Sequence, residues 1–367
     1  MRALRVSDPW LLGTTIVLLG MGIVMVYSAS AVVGLERFGD PSYFGKRQIL
    51  FGTVGLLGGL ALMGVNYDRW RLFAYPLFAL SLLSLIAVLL PEIGREVGGA
   101  RRWFRWGPLS VQPAEFAKIA MILFLARFLS GKQEKTFKAH FLPAALGVGA
   151  LTIPVLLQPD IGTGLLMVSV ACVLLYVGGV RPLHLLGTAG VIFPALFGFI
   201  LSAGYRRLRL TTFLDPWGDP QGAGFQLIQS YLSLGQGGWT GSGLAQGKAK
   251  LLFLPEPHTD FIFSVVGEEL GYLGALGLMF LFGFLIFRGA RVAFRCDNSF
   301  GALLAAGLTS LLGTQTLIHL AVAVGLLPTK GLPLPFISTG GSALLVSLAS
   351  VGILLSIAGG KGDERAR

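Results

Sequence analysis

Asp260 stands where a long polar segment runs into an apolar stretch, with Thr259 and Phe261 beside it and His258 two residues before it. A carboxylate at such a water-filled mouth is placed to take a proton from an attacking hydroxyl as a general base, and it is equally placed to cap the helix that follows. Further on, Gly267-Glu268-Glu269-Leu270-Gly271 sets two more carboxylates inside the apolar stretch, where each needs a cationic or hydrogen-bonding partner. Glu115 and Lys118 share one face of a helix that Pro113 opens, so both point into a bundle and are candidates for contact with a substrate. Upstream, Arg101 and Arg102 adjoin Trp103 and Trp106; an interfacial belt with snorkelling arginines explains the tryptophans but leaves Glu115 and Lys118 unexplained. Asp160, in the turn Gln158-Pro159-Asp160, either complements the positive end of the next helix or meets Lys118 in an intramembrane ion pair. Arg206 and Arg207 begin the long polar segment and add positive charge to the same side.

The elements that position these groups are membrane helices. Of 367 residues, 54% are hydrophobic and 13% charged, too little polar surface for a water-soluble globule. About 20 apolar residues cross a bilayer core, and ten segments approach that length: approximately 10–33, 48–65, 70–90, 113–130, 141–158, 160–179, 183–204, 261–287, 300–326 and 337–358. The expected architecture is therefore an all-α integral membrane protein, a single polytopic domain over residues 1–367, with its long outer loop at 205–260 between the seventh and eighth spans. The first run ends in Ala29-Ser30-Ala31, similar to a signal-peptidase site, but it is longer than a signal core and reads as a retained helix. Lysines and arginines favour the side of the termini once 205–260 is set aside, which makes both termini cytoplasmic.

The net charge of +11 is spread over short loops between apolar runs, as in a protein facing anionic lipid, and nucleic acid is not an expected partner. Basic residues remaining on the outer side call for an anionic ligand there. Arg288, Arg291 and Arg295, at helical spacing, read as an anchor to headgroups. Two cysteines exclude a disulfide framework, and the scattered His140, His184, His258 and His319 make no zinc signature. Gln315 and His319, four apart, are expected to hydrogen-bond between helices, and Gly55-x-x-x-Gly59 to let two helices approach closely.

Five motifs in order carry a resemblance: Gly99-Ala100-Arg101-Arg102-Trp103, Gln112-Pro113-Ala114-Glu115-Phe116-Ala117-Lys118, Gln158-Pro159-Asp160, the run from Leu254 to Phe263 with Gly267-Glu268-Glu269, and Leu332-Pro333-Leu334-Pro335-Phe336-Ile337-Ser338. The chain resembles the SEDS family (shape, elongation, division, sporulation) of the RodA and FtsW type over nearly its whole length. Ala114 stands where the family often has Ser, and Thr339 and Ala343 replace the usual Tyr and Ser around Gly340-Gly341-Ser342. The short tails incline the resemblance towards RodA.

The resemblance implies a ten-span bundle in the bacterial cytoplasmic membrane that polymerises lipid II, the undecaprenyl-diphosphate-linked disaccharide pentapeptide, at the outer face, together with a class B penicillin-binding protein. The family's essential aspartate falls on Asp260. Chemistry then assigns Asp260 as base in an inverting transfer, with Arg101, Arg102, Arg206, Arg207 and Lys118 as candidate stabilisers of the departing diphosphate and Glu115, Asp160 and His258 as further substrate-site residues. Diphosphate chemistry would admit Mg²⁺ or Mn²⁺, and no organic cofactor is implied. Two other classes of function share these features: a flippase for lipid II, which would place polar groups along the whole pathway including its inner half, and a non-catalytic scaffold for the penicillin-binding protein, for which Asp260 would be dispensable.

Overall fold

The structure, a computed structural model, describes residues 7–97, 99–107, 109–131, 136–201, 204–247 and 258–360. A helix lies over each of the ten expected segments: α1 (Pro9–Phe38), α2 (Tyr43–Gly64), α3 (Arg69–Ala87), α4 (Pro113–Ser130), α5 (Leu142–Leu157, entered through a π-helical turn Phe137–Phe141), α6 (Ile161–Val177), α7 (Pro182–Leu201), α10 (Ile262–Arg295), α11 (Ser299–Ala323) and α12 (Gly341–Ala358). Seven helical stretches among the described residues, those containing α1, α2, α3, α5, α10, α11 and α12, are long and apolar enough to cross a membrane. The α6 helix is apolar but shorter. The α4 helix carries Glu115, Lys118 and Arg127.

The bundle is all-helical as expected, and two features add to the ten expected helices. Between α3 and α4 lies a three-stranded antiparallel meander, β1 (Arg95–Val97), β2 (Ala100–Trp106) and β3 (Leu109–Val111). Its aromatic residues Trp103 and Phe104 suit extended chain, and the partial burial of residues 101–104 together with the contacts of β2 with α4 and of β3 with α12 fits a ribbon lying against the end of the bundle. The segment 205–260 also folds into helices, α8 (Gly204–Leu214) and the amphipathic α9 (Phe225–Gln236), with Leu227 and Ile228 buried. The stretches 248–250 and 251–257, including Leu254-Pro255-Glu256-Pro257, fall outside the described residues.

The helices α11 and α12 are the most buried of the apolar spans and form the centre of the bundle. The α12 helix packs on α2 with almost no side chain between them: a methyl group on Gly352 would lie 2.3 Å from the carbonyl oxygen of Gly59, and one on Gly59 would lie 2.8 Å from that of Leu348. Small residues thus let the backbones touch, and dispersion across that seam replaces the hydrophobic drive that lipid does not supply. Gly352→Val is expected to force the helices apart, at a cost of about 1–3 kcal/mol, and to lower the thermal midpoint of the detergent-solubilised protein by several degrees.

Both ends of the described chain meet at one end of the bundle. Ser7 donates to the carbonyl of Leu355 (2.9 Å), and Arg288 pairs with Asp8 (2.7 Å), whose carboxylate also caps α1 through the amide of Leu11 (3.0 Å). The described residues of the five motifs gather at the opposite end.

Candidate functional site

Two irregular stretches build this end. The first is residues 324–340, linking α11 to α12. Its apolar side chains Leu332, Leu334, Phe336 and Ile337 are fully buried, so the stretch dips into the bundle and does not cover it. Backbone at such depth must find its hydrogen bonds in protein. Gln315 donates to the carbonyl of Pro333 (2.7 Å), the His319 ring meets that of Leu332 (2.8 Å), and Gln48 of α2 donates to that of Phe336 (3.3 Å). Gln315 and His319 therefore serve this stretch, and Gln315 also reaches Lys118 across helices.

The second is the glycine-rich part of 205–260. At Gly271 the α10 helix breaks, with φ 69° and ψ −170°, and residues 238–243 bond to the freed backbone. Ser242 and Gly243 donate to the carbonyls of Glu268 and Glu269 (2.9 and 3.1 Å), while Tyr272 and Leu273 donate to those of Gly238 and Trp239 (2.9 and 3.1 Å). The approach is too close for side chains, since a methyl group on Gly271 would lie 2.3 Å from the amide nitrogen of Gly241. Glu268 and Glu269 accordingly sit at a break that precedes the long apolar part of α10, not within a continuous span. The Glu269 carboxylate accepts from Ser28 of α1 (2.6 and 2.7 Å) and from the amide of Ala245 (3.1 Å), tying the glycine-rich stretch to the bundle.

Asp260 lies on the lip between these stretches, two residues before α10 and partly open to solvent. Its carboxylate faces Gly331, where a methyl group would meet Oδ2 at 3.5 Å. The backbone on either side is fixed to the dipping stretch: Ser338 Oγ donates to the carbonyl of Thr259 (2.7 Å), and Thr339 donates to that of His258 through both its amide and its hydroxyl (3.0 Å each). His258 is buried, with its ring 4.3 Å from that of Phe44. Thr339, at a position where the chain departs from the family it resembles, is thus one of the groups that fix the backbone before Asp260.

The other expected site residues divide into separate clusters. Lys118 Nζ is 2.8 Å from Glu115 Oε2 and donates to Gln315 Oε1 at 3.1 Å, with the paired side chains 1% and 3% exposed. No Lys118–Asp160 pair forms. The carboxylate nearest to Lys118 is the one three residues earlier on its own helix, and Asp160 is occupied as the cap of α6, accepting from the amide and hydroxyl of Thr163 (3.1 and 3.0 Å) and from Gln112 (3.4 Å). Arg102 donates through Nε to the carbonyl of Gln158 (2.8 Å) and through Nη2 to that of Pro159, pinning β2 to the turn before α6. Arg101 pairs with Glu96 across β1 and β2 (3.4 Å). Arg207 is exposed on α8, and the side chain of Arg206 lies outside the described residues.

Lys330 was not among the expected site residues, although a single lysine in a short apolar connection is itself a signal. It is partly buried in the stretch that faces Asp260, and burial pushes its pKa below the ordinary lysine value. Among the described residues no three His, Cys, Asp or Glu side chains gather as metal ligands. The described groups place a carboxylate able to accept a proton at Asp260, opposite Gly331, and a lysine at the adjoining position.

Similar proteins place this geometry in context. The family described as Cell cycle protein, comprising FtsW, RodA and SpoVE, matches residues 9–361. A probable peptidoglycan glycosyltransferase FtsW of Geobacter sp. (strain M18) is 44% identical over 359 residues, covering 97% of this chain and 98% of its own. Stage V sporulation protein E of Bacillus subtilis (strain 168) is 42% identical over 345 residues, 94% of each. Among solved structures, a chain from a peptidoglycan synthase complex that coordinates polymerization and crosslinking superposes with a TM-score of 0.81 at 34% identity, covering 96% of this chain and 98% of that one. The rod shape determining protein RodA of Thermus thermophilus follows at 0.73 and 31% identity, covering 96% and 97%.

Proposed function

The chain belongs to the cell cycle protein family of FtsW, RodA and SpoVE, and from that premise we propose that it polymerises lipid II into glycan strands at the outer face of the bacterial cytoplasmic membrane, with Asp260 as general base. It is a multi-pass membrane protein and a peptidoglycan glycosyltransferase, of the kind that serves cell division or sporulation. Relatives named FtsW and SpoVE at 37–45% identity, against RodA at 31%, favour those roles over the RodA role that the short tails suggested. The ten helices over the expected segments are read as ten crossings with cytoplasmic termini, which puts Asp260 outside.

The observation that carries the mechanism is the setting of Asp260. Asp260 is partly open to solvent, next to backbone that Ser338 and Thr339 hold by hydrogen bonds, beside a stretch of chain that dips into the bundle. The acceptor sugar's 4-hydroxyl attacks the anomeric carbon, Asp260 takes its proton, and the lipid diphosphate leaves from the opposite side. Direct displacement turns an α-linked donor into a β-linked product, so no second carboxylate is needed as nucleophile. The base must be fixed within hydrogen-bond reach of the hydroxyl, and such fixing supports the assignment. A class B penicillin-binding protein is the proposed partner, which would crosslink the strands; the similar chain from a polymerising and crosslinking complex supports it.

The test is incubation of the purified full-length protein with lipid II, with and without a class B penicillin-binding protein, followed by a glycan-length gel. Polymer in either condition is the expected result. No polymer, together with lipid II crossing proteoliposome membranes, would turn the reading to a flippase.

A further inference from the structure

Departure of a lipid diphosphate builds negative charge beside the reacting carbon, and the donors that meet it must already be in place. Most of the cations first considered for that task are engaged elsewhere. Lys118 is buried against Glu115 and Gln315, Arg102 donates to two turn carbonyls, and Arg101 pairs with Glu96.

Lys330 is different in three respects. Among the described residues it forms no ion pair, although it is partly buried. Its position is narrow: a methyl group on Gly162, in the first turn of α6, would lie 3.3 Å from the Lys330 Cβ, and one on the adjoining Gly331 would lie 3.5 Å from Asp260 Oδ2. The lysine thus sits between the start of α6, which Asp160 caps, and the proposed base. It is also held there, because Leu332 donates its amide to the Lys330 carbonyl (2.9 Å) and the carbonyls of Leu332 and Pro333 are taken by His319 and Gln315. A partly desolvated ammonium lacking a carboxylate partner gains most from an anionic ligand, since charge-assisted hydrogen bonds are about twice as strong as neutral ones.

We propose that Lys330 binds the prenyl-linked diphosphate of the substrate and receives its charge as it leaves; this rests on the polymerase reading above. In the step, the 4-hydroxyl oxygen bonds to the anomeric carbon as the bond from that carbon to the diphosphate oxygen breaks. The hydroxyl proton goes to Asp260, and the electron pair of the broken bond stays on the departing diphosphate, which Lys330 faces. Lys330 and Asp260 then divide the work on the two sides of one carbon.

The test measures direct binding of undecaprenyl diphosphate and of undecaprenyl monophosphate to the full-length protein in detergent, alongside lipid II polymerisation. Wild type is compared with Lys330→Met, Lys330→Arg and Asp260→Asn, with Lys330→Gln in reserve if the methionine variant does not purify folded. Lys330→Met is expected to bind the diphosphate about 10- to 100-fold more weakly, to lose much of its preference over the monophosphate, and to polymerise with a raised KM. Lys330→Arg is expected to recover most of the diphosphate affinity, and Asp260→Asn to bind it as wild type does. Equal diphosphate affinity in wild type and both neutral variants would overturn the role of Lys330, whatever the polymerisation assay gives. Wild type that binds the diphosphate through Lys330 but forms no polymer would instead strike the polymerase reading alone.

Discussion

Asp260→Asn is expected to lower lipid II polymerisation by about 10²–10⁴-fold, with the protein still inserted and folded. The carboxamide keeps the volume of the side chain and its hydrogen-bonding reach but cannot take up the hydroxyl proton. A base acts only as the proton moves, so kcat and kcat/KM are expected to fall together while the substrate's binding constant stays near that of wild type. That pattern separates the base from Lys330, whose loss acts on binding of the diphosphate itself. The thermal midpoint serves as the control, because Asp260 lies partly in solvent and the bonds that hold its neighbours run through the backbone of His258 and Thr259. Near-normal polymer from Asp260→Asn would remove it as base.

Hydropathy made the helices legible, since a stretch of about 20 apolar residues admits few other structures in a bilayer. The Glu115–Lys118 pair was equally legible, because helical spacing of three puts the two groups side by side whatever surrounds them. Contacts between distant segments were not. Asp160 was open to two readings, and depth alone suggested Lys118; the cap of α6 prevailed because a local amide and hydroxyl lie within reach at once, whereas the ion pair needed a second helix at the right height. The meander at 95–111 escaped notice because an interfacial belt and a strand ribbon share arginines and tryptophans. Gly271 looked like one of many helix glycines, and its break became evident only with the glycine-rich stretch seated against it. Lys330 stayed hidden for a related reason: sequence shows a cation in a loop, but its nearness to Asp260 follows from residues 324–340 dipping into the bundle.

Lys118→Met is expected to cost about 3–5 kcal/mol of stability, the other large effect. The change leaves the Glu115 carboxylate nearly inaccessible to water with its cation gone, and the burial that the pair tolerated becomes an uncompensated charge. It also removes the donor to Gln315 Oε1, the residue whose other end holds the Pro333 carbonyl, so the stretch facing Asp260 loosens and polymerisation falls with it. Glu115→Gln combined with Lys118→Met removes both charges and is expected to regain most of the lost stability, because replacing a whole buried pair by neutral groups is often close to neutral. Thermal unfolding of the two single variants and the double variant gives the coupling between the residues directly. The double variant also divides two roles that the sequence left open for Lys118. Recovery of stability together with most of the polymerisation would make the pair a framework for the site, the result expected from its burial; the donor to Gln315 stays lost, so polymerisation somewhat below wild type is expected through Pro333. Recovery of stability without polymerisation would instead place the Lys118 charge on the substrate, as the sequence first suggested.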